Sequence, residues 1–197
     1  MRRAALALAA VAALAGCATR PVAPPVGAPI DPQRLEQWTA AGRLALATGD
    51  EGGSGAFTWQ QQSATTRLDL RGPFGAGALQ VVVTPDSLSV ADGAGRALDA
   101  EAAKAELRAR LGADLPWGSL RYWLLGVPAP DAPAEVTEAP AAPLRLIEQS
   151  GWSIGYDAFT PVGGLSLPRR LTATSGAVRV RVLVDQWTIA PAADGRP

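Results

Sequence analysis

Residues 70–83 read LRGPFGAGALQVVV. Thr66, Leu68 and Leu70 alternate with Arg67, Asp69 and Arg71 on the way in, and Leu79, Val81 and Val83 alternate with Ala78, Gln80 and Val82 on the way out. A period of two marks strands with one buried face. Between them Gly72, Pro73, Gly75 and Gly77 cannot extend either strand, because proline has no amide for the ladder and glycine tolerates positive φ. The chain must turn here. Phe74 is left in the turn, either folded back over the end of the sheet or presented to the surroundings.

The same alternation recurs on both sides. Strands are predicted over 42–47 (Leu44, Leu46), 56–61 (Phe57, Trp59), 65–71, 78–83 and 87–91, with turns over 49–55 and 85–86, as in an antiparallel meander. Strands return over 144–147, 152–156, 167–174 and 178–184, joined by hairpin turns at Ser150-Gly151 and Ser175-Gly176. In the last of them Val178, Val180, Val182 and Val184 oppose Arg179 and Arg181, with Trp187 following, so one face is apolar and the other wet. Three helices are predicted around the strands. A short one starts at Asp31 and Pro32 and carries Leu35 and Trp38 on one face. An alanine-rich one over 99–111 has Ala103, Leu107 and Leu111 in a stripe, and one over 116–125 presents Leu120, Trp123 and Leu124 and is stopped by Gly126 and Pro128. Residues 127–143 are rich in Ala and Pro and read as irregular. The expected fold is mainly β with a helical lid (α+β), a single curled antiparallel sheet capped by helices. Such a sheet is either filled by its own side chains or leaves a cavity for a ligand.

Ahead of the strands, residues 1–16 begin with Arg2 and Arg3, continue as an apolar run over 4–14 and end in small residues. This is a removable signal peptide, too short for a permanent span. Leu14-Ala15-Gly16-Cys17 also matches the bacterial lipobox, in which the cysteine sulfur takes a diacylglycerol before cleavage. Cys17 is the single cysteine of the 197 residues, so no internal disulfide competes with that reading. Several acyl chains make a stable anchor, since each buried methylene contributes about 0.8 kcal/mol. Residues 17–30 then form a lipidated cysteine and a Pro-rich tether, and 31–197 are read as one domain. Loss of Arg2 and Arg3 leaves 16 basic against 18 acidic residues, about minus two. That balance argues against nucleic acid and against a polybasic membrane patch.

The absence of histidine excludes histidine acid–base catalysis and imidazole metal sites. Lys104, the one lysine, falls between alanines on a helix as a solvated charge, and Gly53-Ser54-Gly55 lacks the spacing of a nucleophile elbow. Gly72, Gly75 and Gly77 lack the lysine of a phosphate loop, and Glu135 and Glu138 sit in the irregular segment without a rigid platform for two acids. No enzyme and no cofactor are expected.

At this point the lipobox, GRLAL over 42–46, GPFG over 72–75, LRYWLLGVPAP over 120–130 and the Trp-containing last strand together resemble the outer-membrane lipoprotein receptor family, LolB. Phe74 stands where the family loop more usually carries leucine. The resemblance implies an unclosed β-barrel whose helices cover an apolar cavity. Its function would be to accept acylated client lipoproteins from a periplasmic carrier (LolA-like), hold their acyl chains, and insert them into outer-membrane lipid from the periplasmic face, acting as a monomer. It assigns Cys17 to lipidation and Phe74 to a membrane-insertion loop. The inward candidates for an acyl-chain cavity are Leu44, Leu46, Phe57, Trp59, Leu68, Leu79, Val81 and Val180 from strands, with Trp38, Leu120, Trp123 and Leu124 from the lid. Two other readings stay open. One is a lipid-anchored structural or assembly factor with a solid core, and the other is a carrier of a different small apolar ligand.

Overall fold

Each of the alternating segments finds an antiparallel partner in the computed structural model, which describes residues 31–72, 78–98, 101, 102, 105 and 115–190. The strands are β1 (Gln37–Thr48), β2 (Glu51–Gln62), β3 (Thr65–Arg71), β4 (Leu79–Val83), β5 (Leu88–Asp92), β6 (Ala97–Leu98), β7 (Ala134–Glu138), β8 (Arg145–Gln149), β9 (Trp152–Val162), β10 (Leu165–Ser175) and β11 (Val178–Ile189). They form one sheet in the order β6-β5-β4-β3-β2-β1-β11-β10-β9-β8-β7. The chain therefore walks outward from β1 to one edge, crosses to the opposite edge, and walks back until β11 pairs with β1. The edges β6 and β7 do not pair with each other, so the curled sheet is an unclosed barrel. The crossing between them carries helix α1 (Trp117–Leu124).

Away from the β7 edge, one face of the sheet is largely buried. Trp38, Ala40 and Leu46 of β1, Phe57 and Trp59 of β2, Leu68 and Leu70 of β3, Ile154 and Tyr156 of β9 and Val184 of β11 belong to one cluster with Trp123, Leu124 and Leu125. The edges are protected by means that carry no hydrophobic signal. β6 has two residues, and β7 is exposed along its length and bears Glu135 and Glu138.

Several sequence expectations are corrected. Only Pro32–Arg34 are helical near the start, as one 3-10 turn with the Asp31 carboxylate accepting the Gln33 amide, and Leu35 is already extended. Trp38 is thus a strand residue and no part of a lid. It stacks on Trp59 (centroids 6.0 Å, planes 6° apart) and packs tilted against Trp187 at 5.5 Å. A three-residue spacing of Leu35 and Trp38 suits a helix, but the pairing of β1 with both β2 and β11 outweighs it. The turn expected over 49–55 is confined to Gly49-Asp50, because Gly52, Gly53 and Gly55 pair with Ala47, Leu46 and Leu44. The segment 127–143 contains β7, which the alternation could not announce because it has no buried face. β9 and β10 run on through Pro161 and Pro168 to a Gly163-Gly164 turn, with the register shifting beside Pro168. Of the helix predicted over 99–111, Glu101, Ala102 and Ala105 are helical, and the remainder lies outside the described residues. So do 1–30, with Cys17, and 73–77, with Phe74.

The first glycine of GRLAL has a structural reason. Between Ala41 and Gly42 the register of β1 on β11 shifts by one residue of β11, and there a Cβ on Gly42 would collide with the Leu183 carbonyl. Gly42→Ala should therefore lower stability by about 1–3 kcal/mol, as overpacking of a close strand approach does. Urea denaturation measures it, and a neutral Ala variant would refute the close approach.

Candidate functional site

Helix α1 has only eight residues, too few to persist in water by propensity. Tertiary bonds hold it against the inward face. Its C-terminus closes as a Schellman motif: the Val127 amide donates to the Tyr122 carbonyl (3.1 Å) and the Gly126 amide to the Trp123 carbonyl (3.0 Å), with Gly126 at φ +82°. The Trp123 carbonyl also accepts the Tyr156 hydroxyl of β9 at 2.8 Å, and Arg145 of β8 donates to the Gly126 carbonyl at 2.8 Å. Gly126 is doubly constrained, since a Cβ there would lie 2.9 Å from Pro168.

Two buried glutamines complete the attachment, one on each half of the sheet. Gln149 of β8 accepts the Trp123 indole N–H (2.8 Å) and the Ala129 amide (2.9 Å), and its amide donates to the carbonyls of Ala129 and Ala132. Gln61 of β2 accepts from Trp59 and Thr66 and donates to the Ser63 carbonyl, to which Arg121 of the helix also donates at 3.0 Å. The helix is thus clipped to the β2–β3 turn at one side and to β8 and β9 at the other. It bridges the two halves of the barrel.

Between helix and sheet lies a cavity of about 120 Å³. Leu44, Leu46, Phe57, Trp59, Leu68 and Val180 line it from strands, and Leu120, Trp123 and Leu124 from the helix. Trp38, Leu79 and Val81 are buried but stand away from it. Trp38 is taken up by the tryptophan stack, while Leu79 and Val81 lie on β4, a strand nearer the edge. The remaining lining residues are Leu70, Leu115, Trp117, Trp152, Ile154, Leu171, Ala173 and Val182. Leu70 and Val182 could have been found from parity with Leu68 and Val180, and Trp117 from its place three before Leu120. Trp152, Ile154, Leu171 and Ala173 needed the tertiary structure, because their strands become neighbours of the helix only when the sheet curls. Every lining side chain is hydrophobic. Space survives partly because Leu44 and Leu46 have Gly55 and Gly53 as their neighbours on β2, so that strand adds no side chain to those inward rows.

Nothing in this site resembles catalytic machinery. Glu138 is engaged by Arg145 at 2.7 Å, and Glu135 faces Glu148 across the β7–β8 ladder at the sheet edge. The family described as "Outer membrane lipoprotein LolB" matches residues 36–187. The chain belongs to the LolB family. Relatives named outer-membrane lipoprotein LolB include that of Alkalilimnicola ehrlichii, 35% identical over 97% of this chain and 100% of its own length, and that of Marinomonas sp., 32% identical over 92% and 95%. A crystal structure of a LolA-superfamily protein from Nitrosomonas europaea shares the fold at a TM-score of 0.50 and 9% identity, covering 82% of this chain and 89% of that one. LolB membership places the chain in a lipoprotein-sorting role at the outer membrane, and the family acts as a non-enzymatic localization receptor.

The clip at Tyr156 carries a pH signature. Burial of its phenol against the helix end pushes its pKa well above the usual tyrosine value, because the phenolate would lose water. A raised folded-state value contributes stability in full below the unfolded pKa of about 10, and that stability is lost as pH rises beyond it. Tyr156→Phe should cost about 1 kcal/mol at neutral pH through the lost hydrogen bond. It should also flatten the fall in stability above about pH 10, as followed by chemical denaturation across alkaline pH.

Proposed function

We propose that this LolB-family chain receives acylated lipoproteins from a periplasmic carrier, shelters their acyl chains in the cavity beneath α1, and releases them into the outer membrane to which Cys17 anchors it. The observation that supports this reading is the wholly apolar cavity under a bridging helix. Its chemistry suits hydrocarbon and offers nothing to a polar ligand. A solid-core structural factor would have no use for it.

The cavity's size sets a requirement on the mechanism. Its roughly 120 Å³ is near the roughly 150 Å³ that admits a benzene molecule, far short of an acylated N-terminus with several long chains. Loading must lift α1 from the sheet. Each hydrogen bond clipping the helix contributes about 1 kcal/mol net, so the entry of acyl methylenes, at about 0.8 kcal/mol each, can offset the loss of several of them. Transfer then needs no nucleotide, since a difference of about 1.4 kcal/mol between donor and acceptor gives a tenfold bias.

A fluorescent fatty-acid probe should bind saturably, quench tryptophan emission, and be displaced by an acylated peptide. Leu120→Asp should abolish probe binding while leaving the sheet folded, because a carboxylate cannot be desolvated beneath the helix. Absence of saturable binding by the unsubstituted chain would favour a solid core.

At release the loop that carries Phe74 supplies an apolar wedge. Burial of one such side chain is worth about 1.5–3 kcal/mol, enough for a transient contact and too little for an anchor. Phe74→Leu should be nearly silent. Phe74→Glu should fold, bind probe and accept clients yet fail to deliver them into liposomes, and unimpaired delivery would remove the wedge. Cys17→Ser should block acylation, read by fatty-acid labelling, without affecting probe binding.

A further inference from the structure

The near-neutral total charge conceals a segregated one. Cross-strand pairing aligns Arg71 (β3), Ala56 (β2), Arg43 (β1), Leu183 (β11) and Arg170 (β10) in one row across the outer face of the sheet. Five strands in register span about 19 Å. Two and four residues further along β11, Arg181 and Arg179 point to the same face, opposite Ala45 and Ala47 of β1. All five arginines are exposed. Around them the outer positions apart from Leu183 are small, with Ala56, Ser54, Ala45 and Thr172, and a shallow open groove runs between Arg43, Arg170 and Arg181.

On β3 the other half of the outer face holds the paired Arg67 and Asp69, and on the three central strands it is uncharged. On β1, β2 and β11 the other half of the outer face carries Thr39, Thr58, Gln60, Gln186 and Thr188. Asp69 and Asp185 are already engaged, Asp69 by Arg67 and Gln80 and Asp185 by Arg43 at 3.3 Å, while Asp157 of β9 borders the groove. Arg71, Arg170, Arg179 and Arg181 have no ion-pair partner among the described residues. The belt lies at the end of the barrel where Arg71 closes β3, from which the chain enters the loop containing Phe74.

We infer that this arginine belt docks the barrel on the anionic phospholipid surface of the membrane that holds its anchor. The choice of occupant rests on the membrane-anchored reading above. The 14 residues from Cys17 to Ile30 reach at most about 45–50 Å, so that surface is always within range and a weak patch acts at high effective concentration. Guanidinium groups over a floor of small side chains suit phosphate oxygens, which they can bind in bidentate fashion. Docking through this face leaves α1, on the opposite face of the sheet, turned away from the lipid and open to a carrier. It also sets the end of β3 at Arg71 near the bilayer.

The test uses the whole chain from residue 17 with Cys17→Ala, so that no acyl chain contributes, in sedimentation with vesicles and with neither client nor carrier present. Vesicles of phosphatidylethanolamine and phosphatidylglycerol should bind it, pure phosphatidylcholine should not, and high salt should release it. Arg170→Ser, Arg179→Ser and Arg181→Ser together should weaken binding on the order of 100-fold at low salt with melting unchanged. Lysine at the same three positions should retain most of it. Equal binding to both vesicle types, no binding at all, or full binding by the serine variant would overturn the assignment. If the serine variant bound vesicles normally but no longer accepted clients, the belt would face an acidic protein and the membrane assignment would fall. Loss of binding in Phe74→Ser with the belt intact would move the contact to the loop. Since no client is involved, failure of the transfer function and failure of the belt give separate results.

Discussion

The gap between β6 and β7 is the constraint to which the rest of the structure responds. A sheet that curls but does not close has an apolar inner face with an open side, and water on that face would cost about 25 cal/mol for each Å² left uncovered. The chain crosses that gap once, and the crossing carries α1. An eight-residue helix has no stability of its own to spend there. Its position comes from Gln149, Tyr156 and Arg145 on one half of the sheet and from Arg121 reaching the β2–β3 turn on the other.

This way of covering the barrel differs from filling it. A solid core would interdigitate large side chains from both layers. Here Gly53 and Gly55 withdraw side chains beside Leu46 and Leu44, and Trp117, Leu120, Trp123 and Leu124 lie over the space without occupying all of it. The helix is located by directional polar bonds together with burial of Trp123 and Leu124, and part of its apolar underside borders the cavity. Hydrogen bonds of this kind specify one geometry yet are individually weak, so they define the position of the cover without adding much to the cost of moving it. That combination is compatible with the proposed loading, in which the cover opens for a bulky hydrocarbon.

The two faces of the sheet differ in chemistry. Strand parity sends Val180 and Val182 inward to the cavity and Arg179 and Arg181 outward to the belt, so one short stretch of β11 contributes to both faces. Composition sums these charges to nearly zero. Only register reveals that Arg71, Arg43 and Arg170, widely separated along the chain, share one row.

Period-two alternation by itself determined the strands with one buried face, and local punctuation determined the end of α1: Gly126 is needed both for its positive φ and for its approach to Pro168. The absence of histidine by itself narrows the chemistry open to the chain. The motifs over 42–46, 72–75 and 120–130 carried the family resemblance. Tertiary structure decided what alternation cannot encode. Trp38 became a strand residue because β1 pairs on both sides, and β7 exists because an edge strand needs one partner and no buried face. The cavity's far wall of Trp152, Ile154, Leu171 and Ala173 forms because curling brings β9 and β10 round to the helix. Parity is a property of neighbours along the chain and can be read from it. Curvature, register between distant strands and the volume left between layers depend on long-range pairing, which emerges only when the whole sheet is assembled.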